Sequence, residues 1–196
     1  MRNLIALIAF LALVSLAALF GAFFQPGTWY AELAKPPLNP PNWIEPITVA
    51  CELGEASCFT TGIDPGLAND LFPMTLMGLC SEVRTVRASE LLDYTHYTGD
   101  YDREMGIGRP PEYRAMLENP DILVFAWGAT VPMIAHAAGI MLDDITTTWE
   151  KWVTPTERTT AKGVIEAGNV AAVRFTVNGV YRGETRIQLE HVNRIG

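Results

Sequence analysis

The chain has 196 residues, with 22 Asp or Glu against 14 Lys or Arg, and a formal net charge of −8. That length suffices for one ordinary domain with its own core plus an appendage, and falls short of a complete two-domain cofactor enzyme. No cluster of Lys or Arg interrupts the acidic balance; such a surface repels phosphate backbones, which excludes nucleic acid as a partner.

Charge is unevenly distributed. Arg2, Glu32, Lys35 and Glu45 cancel one another, so the whole net charge belongs to residues 48–196. Residues 4–24, LIALIAFLALVSLAALFGAFF, carry no charge, and only Ser15 is polar. At about 1.5 Å per residue a helix of this length spans roughly the 30 Å of a bilayer's hydrocarbon core. It exceeds the apolar region of a signal peptide, about 7–15 residues. Pro26-Gly27 with Trp29-Tyr30 reads as a helix stop and an interfacial anchor. The expectation is a retained single-pass transmembrane helix with membrane lipid as its partner. Pro26, Pro36, Pro37, Pro40, Pro41 and Pro46 then predict an extended loop rather than a helix or central strand.

Gly21-Ala22, Trp29-Tyr30, Leu33, Lys35-Pro36, Pro40-Pro41 and Trp43 together resemble the first helix and loop of the TspO/MBR family of tryptophan-rich sensory proteins. In that family five helices enclose a pocket for tetrapyrroles and other hydrophobic ligands. The resemblance is confined to residues 5–47 and implies a fragment unable to close that pocket alone.

Residues 48–61 are small and polar and read as a junction. Cys51, Cys58 and Cys80 are odd in number and lack the close spacing and His partners of a zinc site. Cys80 is expected as a small buried residue at a helix end and the other two as loop thiols, which suits a reducing compartment.

From residue 62 onward the pattern is that of a globular domain. Asp64 is placed to cap a helix with Pro65 at its first position, and Leu67, Leu71, Met74, Leu76 and Leu79 supply its apolar faces. Pro73 should bend that helix unless it falls within its first turn. Residues 82–94 alternate as a strand does. The Tyr-, Gly- and charge-rich stretch 94–114 reads as a flap over a site rather than a core element. Residues 130–142 have helical periodicity, and 149–153, 168–184 and 185–195 read as strands, the last two paired through Asn178-Gly179 to Gly183. The predicted class is α+β: a mixed, mostly antiparallel sheet with helices on one face, preceded by one transmembrane helix and without a Rossmann domain. The domain limits are 1–47, a junction at 48–61, and 62–196.

Gly62-Ile63-Asp64-Pro65-Gly66 with Asn69-Asp70, Met105-Gly106-Ile107-Gly108-Arg109-Pro110, Phe125-Ala126-Trp127-Gly128, Ile165-Glu166-Ala167-Gly168 and Glu190-His191-Val192 resemble, as an ordered set, the dihydrodipicolinate-reductase-like oxidoreductases akin to 2,4-diaminopentanoate dehydrogenase. In that family a Rossmann domain binds NAD(P)H, and the part resembled here forms the substrate-side wall and subunit contacts. The resemblance therefore implies a homo-oligomer, a small amino-acid-like substrate, and NAD(P)H if a separate Rossmann domain is supplied.

A dinucleotide needs a strand, a G-x-G-x-x-G turn and a helix whose N-terminal amides meet the pyrophosphate. Gly106-Ile107-Gly108 lacks the third glycine, and Pro110-Pro111 would block the helix. The chain alone is thus expected to bind no cofactor. Candidate substrate contacts are Asp64, Gly66, Asn69 and Asp70: amides at a helix start attract a carboxylate, while the two aspartates suit an amino group. The plain alternative is that Asp64 only caps the helix. His96 is a candidate acid or base, or an exposed loop residue. Arg109 is a candidate carboxylate fork, or a surface residue. His136 is expected as a satisfied buried side chain. Glu190 and His191, adjacent on a strand, must face opposite ways. No catalytic residue or metal ligand is assigned.

The resulting expectation is a truncated, membrane-tethered, NAD(P)-dependent oxidoreductase domain lacking its nucleotide-binding partner, with the soluble part in the cytoplasm. The alternatives are a TspO-like membrane sensor, or a fusion of two gene fragments without evolved function.

Overall fold

The computed structural model describes residues 44–57, 64, 66–99 and 101–196. The apolar segment 4–24 and the loop through Trp43 lie outside the described residues. Among the described residues no helix is long and apolar enough to cross a membrane.

The first described element is α1, Ile44–Leu53. It overturns the expectation of irregular chain across the start of the junction. Pro46 falls in its first turn, where amides have no intrahelical acceptor and a missing N–H costs little. A π-helical turn, Leu67–Leu71, leads into the six-residue α2, Phe72–Met77. Asp64 does not cap this helix: Gly66 occupies the cap position at φ 146°, without a side-chain bond. The π turn ends just ahead of Pro73, so the proline sits in the first turn of α2, where its ring meets no preceding α-helical carbonyl.

Strand β1 spans Val86–Asp93, and α3 is the single turn Tyr101–Glu104. Helix α4, Pro120–Trp127, has Pro120 at its first position and is capped by Asn119, whose side chain accepts the Asp121 N–H. Helix α5, Thr130–Ala137, is shorter than the periodicity predicts because Gly139 turns left-handed at φ 67°. The remaining strands are β2 (Asp144–Val153), β3 (Arg158–Thr160), β4 (Gly163–Ile165), β5 (Val170–Tyr181) and β6 (Glu184–Arg194).

The main sheet has the order β1-β6-β5-β2, and β3 pairs with β4 separately. The pairs β2–β5 and β5–β6 are antiparallel, while β1 lies parallel to β6. This is the expected mixed, mostly antiparallel sheet. The β5–β6 hairpin turns at Arg182-Gly183, both left-handed (φ 54° and 81°), because Tyr181 pairs with Glu184. Asn178-Gly179 lies inside β5 instead, which corrects the expected turn.

Alternation sends Phe175 and Val177 of β5, with Ile187 and Leu189 of β6, to one face, where Leu123 of α4 and Val131, Ile134 and Ala135 of α5 cover them. Side chains buried this fully contribute about 1.5–3 kcal/mol each. A second cluster joins Tyr101, Met105 and Ile107 to Ile165, Val170, Val173 and Ile195. The stretch expected as a flap is therefore partly core: Ile107 is wholly buried, between glycines at φ 75° and 86° that let the chain turn tightly around it. His136 and Cys80, both expected inside, are exposed.

The opposite sheet face is polar. Thr148, Thr176, Asn178 and Gln188 form a hydrogen-bonded row. Beside it Glu190 accepts from Ser89, Arg87 and Arg174, and Arg174 also donates to Glu150.

Candidate functional site

Parallel pairing of β1 with β6 sets Glu90 directly beside His191, and the alternation that sends Glu190 outward sends these two inward. The turn before the π helix brings Asp64 to the same point. His191 Nδ1 lies 3.0 Å from Asp64 Oδ2 and 3.4 Å from Glu90 Oε2. Asp64 Oδ1 accepts a 2.8 Å hydrogen bond from Trp127 Nε1 at the end of α4, and a second from the Asn69 amide. The imidazole is stacked on Phe175 with centroids 4.5 Å apart and tilted against Trp127 at 5.0 Å. Only 4% of its side chain is exposed, against 15% for Asp64 and 19% for Glu90, so the two carboxyl groups form the open side.

The electrostatics follow from crowding. Burial alone would raise the Asp64 carboxyl, but hydrogen bonds with His191, Glu90 and Trp127 and the imidazolium charge outweigh it and hold Asp64 below the usual carboxylate range. Burial opposes charge on His191, yet Asp64 and Glu90 overcome it and raise the imidazole above its ordinary value. His191 draws the Glu90 carboxyl down, while the hydrogen bond and charge of Asp64, with burial, push it up further, so Glu90 holds a proton more readily than a free glutamate. Nearby, burial and the charge of Glu90 push the Tyr94 hydroxyl up to about 12. Within this cluster His191 Nε2 and Glu90 Oε2 are buried without a hydrogen-bond partner. At 3.4 Å, the His191–Glu90 contact is electrostatic rather than a directed bond.

With the Asp64 carboxyl held low and the His191 imidazole and Glu90 carboxyl raised from their ordinary values, the cluster can bind or release a proton and can bind a compact cation. Asp64, Glu90 and His191 each present a ligand atom within 4.8 Å of the others, a spacing that one metal ion can bridge. Such an ion would first have to displace the proton shared by His191 and Asp64. An ammonium group needs only the exposed carboxylate edges and the aromatic wall of Trp127.

Of the residues proposed from sequence, Asp64 and Asn69 meet in this cluster. Gly66 holds the π turn, its carbonyl accepting the amides of Asn69 and Asp70. Asp70 is buried in that turn, its carboxylate accepting the Leu71 amide. His96 is exposed in the turn after β1. Arg109 pairs with Asp102 at 2.7 Å and stacks over Tyr113. Neither is a partner of Asp64, Glu90 or His191. Sequence reasoning missed Glu90 and the link between His191 and Asp64. The available signal was a glutamate at a core-facing position of β1, two residues from Ala88.

A profile of the 2,4-diaminopentanoate dehydrogenase C-terminal domain matches residues 67–196. The chain belongs to this family. It is 38% identical over 159 residues to an amine dehydrogenase of Streptomyces virginiae, a match covering 80% of this chain and 44% of that protein. It is 29% identical over 167 residues to a 2,4-diaminopentanoate dehydrogenase of Acetoanaerobium sticklandii, covering 84% and 47%. Its fold is that of part of an amine dehydrogenase from Mycobacterium smegmatis, with a TM-score of 0.60 at 15% identity over 80% of this chain and 47% of that one. This dehydrogenase-family domain therefore spans less than half the length of the relatives it matches. The likeness of residues 5–47 to sensory proteins rests on sequence motifs alone and lies almost entirely outside the described residues.

The glycine-rich turn is not arranged as a phosphate cradle. In the glycine-rich turn the amide of Gly108 donates to Val170 and that of Arg109 to Gly106, so neither is available to a phosphate. Ile107 between them is turned into the core.

Proposed function

We propose that residues 62–196 are the substrate-side domain of an NAD(P)-dependent dehydrogenase acting on a small amino-acid-like amine, and that Asp64, Glu90 and His191 receive its amino group. The observation that carries this reading is the inward convergence of two carboxyl groups and a buried imidazole against Trp127. Dehydrogenase names among the relatives support the reaction class. In this reading the ionised Asp64 binds the ammonium form, Trp127 and Asn69 hold that carboxylate in place, and the same carboxylate takes the proton that the ammonium gives up on becoming the free amine. The electron acceptor is held by residues other than those described here. The same reading includes a membrane anchor in residues 4–24, a soluble part in the cytoplasm, and association of copies through the polar sheet face.

Calorimetric titration of the full chain in detergent with short diamines and diamino acids tests the site. Binding should be micromolar to millimolar, and Asp64→Asn should weaken it about tenfold or more, since a charge-assisted bond contributes about 1.5–3 kcal/mol. Equal affinity in Asp64→Asn would remove the amine reading. A parallel titration with NAD(P)H should show no binding to the chain alone.

A further inference from the structure

Strand β1 carries polar groups toward the site beyond Glu90. Residues 90, 92 and 94 share the inward face by alternation. The Tyr94 amide donates to the Arg194 carbonyl at 2.8 Å, which extends the pairing with β6 one residue past Asp93. Glu90 and Tyr94 therefore stand about 13 Å apart along one strand, four residues at about 3.3 Å each. The Tyr94 ring is held in place: it meets Tyr97 and Tyr101 with centroids 5.2 and 5.6 Å away and packs against the second core cluster. Its hydroxyl makes no hydrogen bond to a described residue. Phenylalanine would serve the packing equally well, so the oxygen is a polar atom on a rigid support with no structural task, the arrangement of a preorganised contact.

The charges acting on that hydroxyl are of one sign. Glu90, Glu104 and Asp64, with burial, push it up to about 12, so it stays a neutral phenol with lone pairs free to accept. Glu104, half-buried on the α3 turn, has no ion-pair partner among the described residues. Its neighbour Asp102 is committed to Lys162 and Arg109, and Lys162 also lies over the Tyr101 ring and donates to the Gly99 carbonyl. A carboxylate brought to Tyr94 would be repelled there, and a cation attracted. We infer that the Tyr94 hydroxyl is the selectivity contact of the amine site: its oxygen accepts a hydrogen bond from a second ammonium at the far end of the substrate, and Glu104 supplies the opposing charge. This rests on the amine reading above, in which Asp64 and Glu90 take the first ammonium. A short diamine satisfies both ends and a monoamine only one, while an ω-amino acid would set its carboxylate against Glu104.

The test is calorimetric titration of the full chain in detergent at neutral pH. The probes are putrescine and cadaverine, the monoamines of the same two lengths, and the matching ω-amino acids. The better diamine should bind about tenfold or more tighter than its monoamine, as a charge-assisted hydrogen bond allows, and the ω-amino acid should bind most weakly. Tyr94→Phe keeps the ring; it should close the gap between diamine and monoamine to about twofold and leave the monoamine affinity as it was. Glu104→Gln should narrow the same gap, more so at low salt. Equal affinity of diamine and monoamine for the parent, or an unchanged gap in Tyr94→Phe, overturns the proposal. So does a Tyr94→Phe variant that weakens every ligand alike or lowers the urea midpoint, because either result gives the hydroxyl a structural role. The two readings fail in different ways. Equal affinities that still fall in Asp64→Asn remove only the Tyr94 contact, whereas a parent that binds none of these amines removes the amine site and the Tyr94 contact with it.

Discussion

Glu190 and His191 show how one position in register separates structure from chemistry. Their side chains emerge on opposite faces of β6, and only the inward one meets Asp64 and Glu90. Glu190 instead ties three strands together through Ser89, Arg87 and Arg174. Burial alone would raise its carboxyl, but the hydrogen bonds of Ser89, Arg87 and Arg174 lower it to about 2 from 4.5. A depressed folded value stabilises the protein above the unfolded pKa, and that contribution is lost as pH falls from 4.5 through about 2. Full linkage would be about 3 kcal/mol. Because Arg87 is largely exposed, solvent screening reduces this to about 1–2 kcal/mol. Urea unfolding of Glu190→Gln should therefore show that deficit at neutral pH and a narrowing gap below pH 4.5. A deficit that stays constant down to about pH 2 would mean the ion pairs are not its cause. At this scale the opposed faces were legible in the sequence, since alternation requires them. The pairing of Glu90 with His191 was not, because it depends on which strands become neighbours across a crossover from β1 to β6.

Among elements, the long strands were the most readable. Residues 170–181 and 184–194 alternate over enough positions that the buried face follows, and β5 and β6 appear with ends close to those expected. The start of the domain was misread for a definable reason. Asp64-Pro65 has the composition of a helix start, but Trp127 and His191, distant in sequence, compete for the carboxylate, and Gly66 takes the cap position ahead of Leu67 instead. The stretch 94–114 was misjudged because its many polar residues obscure the three, Tyr101, Met105 and Ile107, that reach the second cluster. Asn178-Gly179 looked like a hairpin turn, whereas Gly179 is where α5 and the chain before β2 press against β5. A Cβ there would lie 2.6 Å from Val131 Cγ1 and 2.7 Å from Leu142 Cδ1. Gly179→Ala should accordingly destabilise by about 1–3 kcal/mol through overpacking. Gly139→Ala meets nothing within 4 Å and suffers only the left-handed backbone at φ 67°, about 1 kcal/mol. Thermal melting of the pair checks the order, and a melting temperature lower for Gly139→Ala would contradict the close approach.

For the whole molecule the governing feature is the contrast between residues 1–47, which carry no net charge, and the remainder, which carries −8. An uncharged apolar run of this length is costly to keep in water: at about 25 cal/mol per Å² of apolar surface, exposing it far exceeds the 5–15 kcal/mol by which a domain is stable. It must lie in lipid or be covered by protein. The domain's own exposed apolar side chains on and beside α2, Leu67, Leu71, Phe72, Leu76 and Leu79, offer a cover, but five side chains cannot mask twenty-one, and a bilayer can. The acidic domain, repelled by anionic headgroups, would then stand off the membrane surface. The full chain is therefore expected to remain with membranes after an alkaline carbonate wash, and a form lacking residues 4–24 to be released. Sedimentation in detergent should show more than one chain per particle if copies associate through the polar sheet face, and Thr148→Arg, which sets a charge on the exposed part of that face, should reduce it to one. Release of the full chain by carbonate as a soluble species would exclude the anchor and leave the apolar run covered by protein, and amide hydrogen exchange at residues 67–79 would then report whether the side chains on and beside α2 provide that cover.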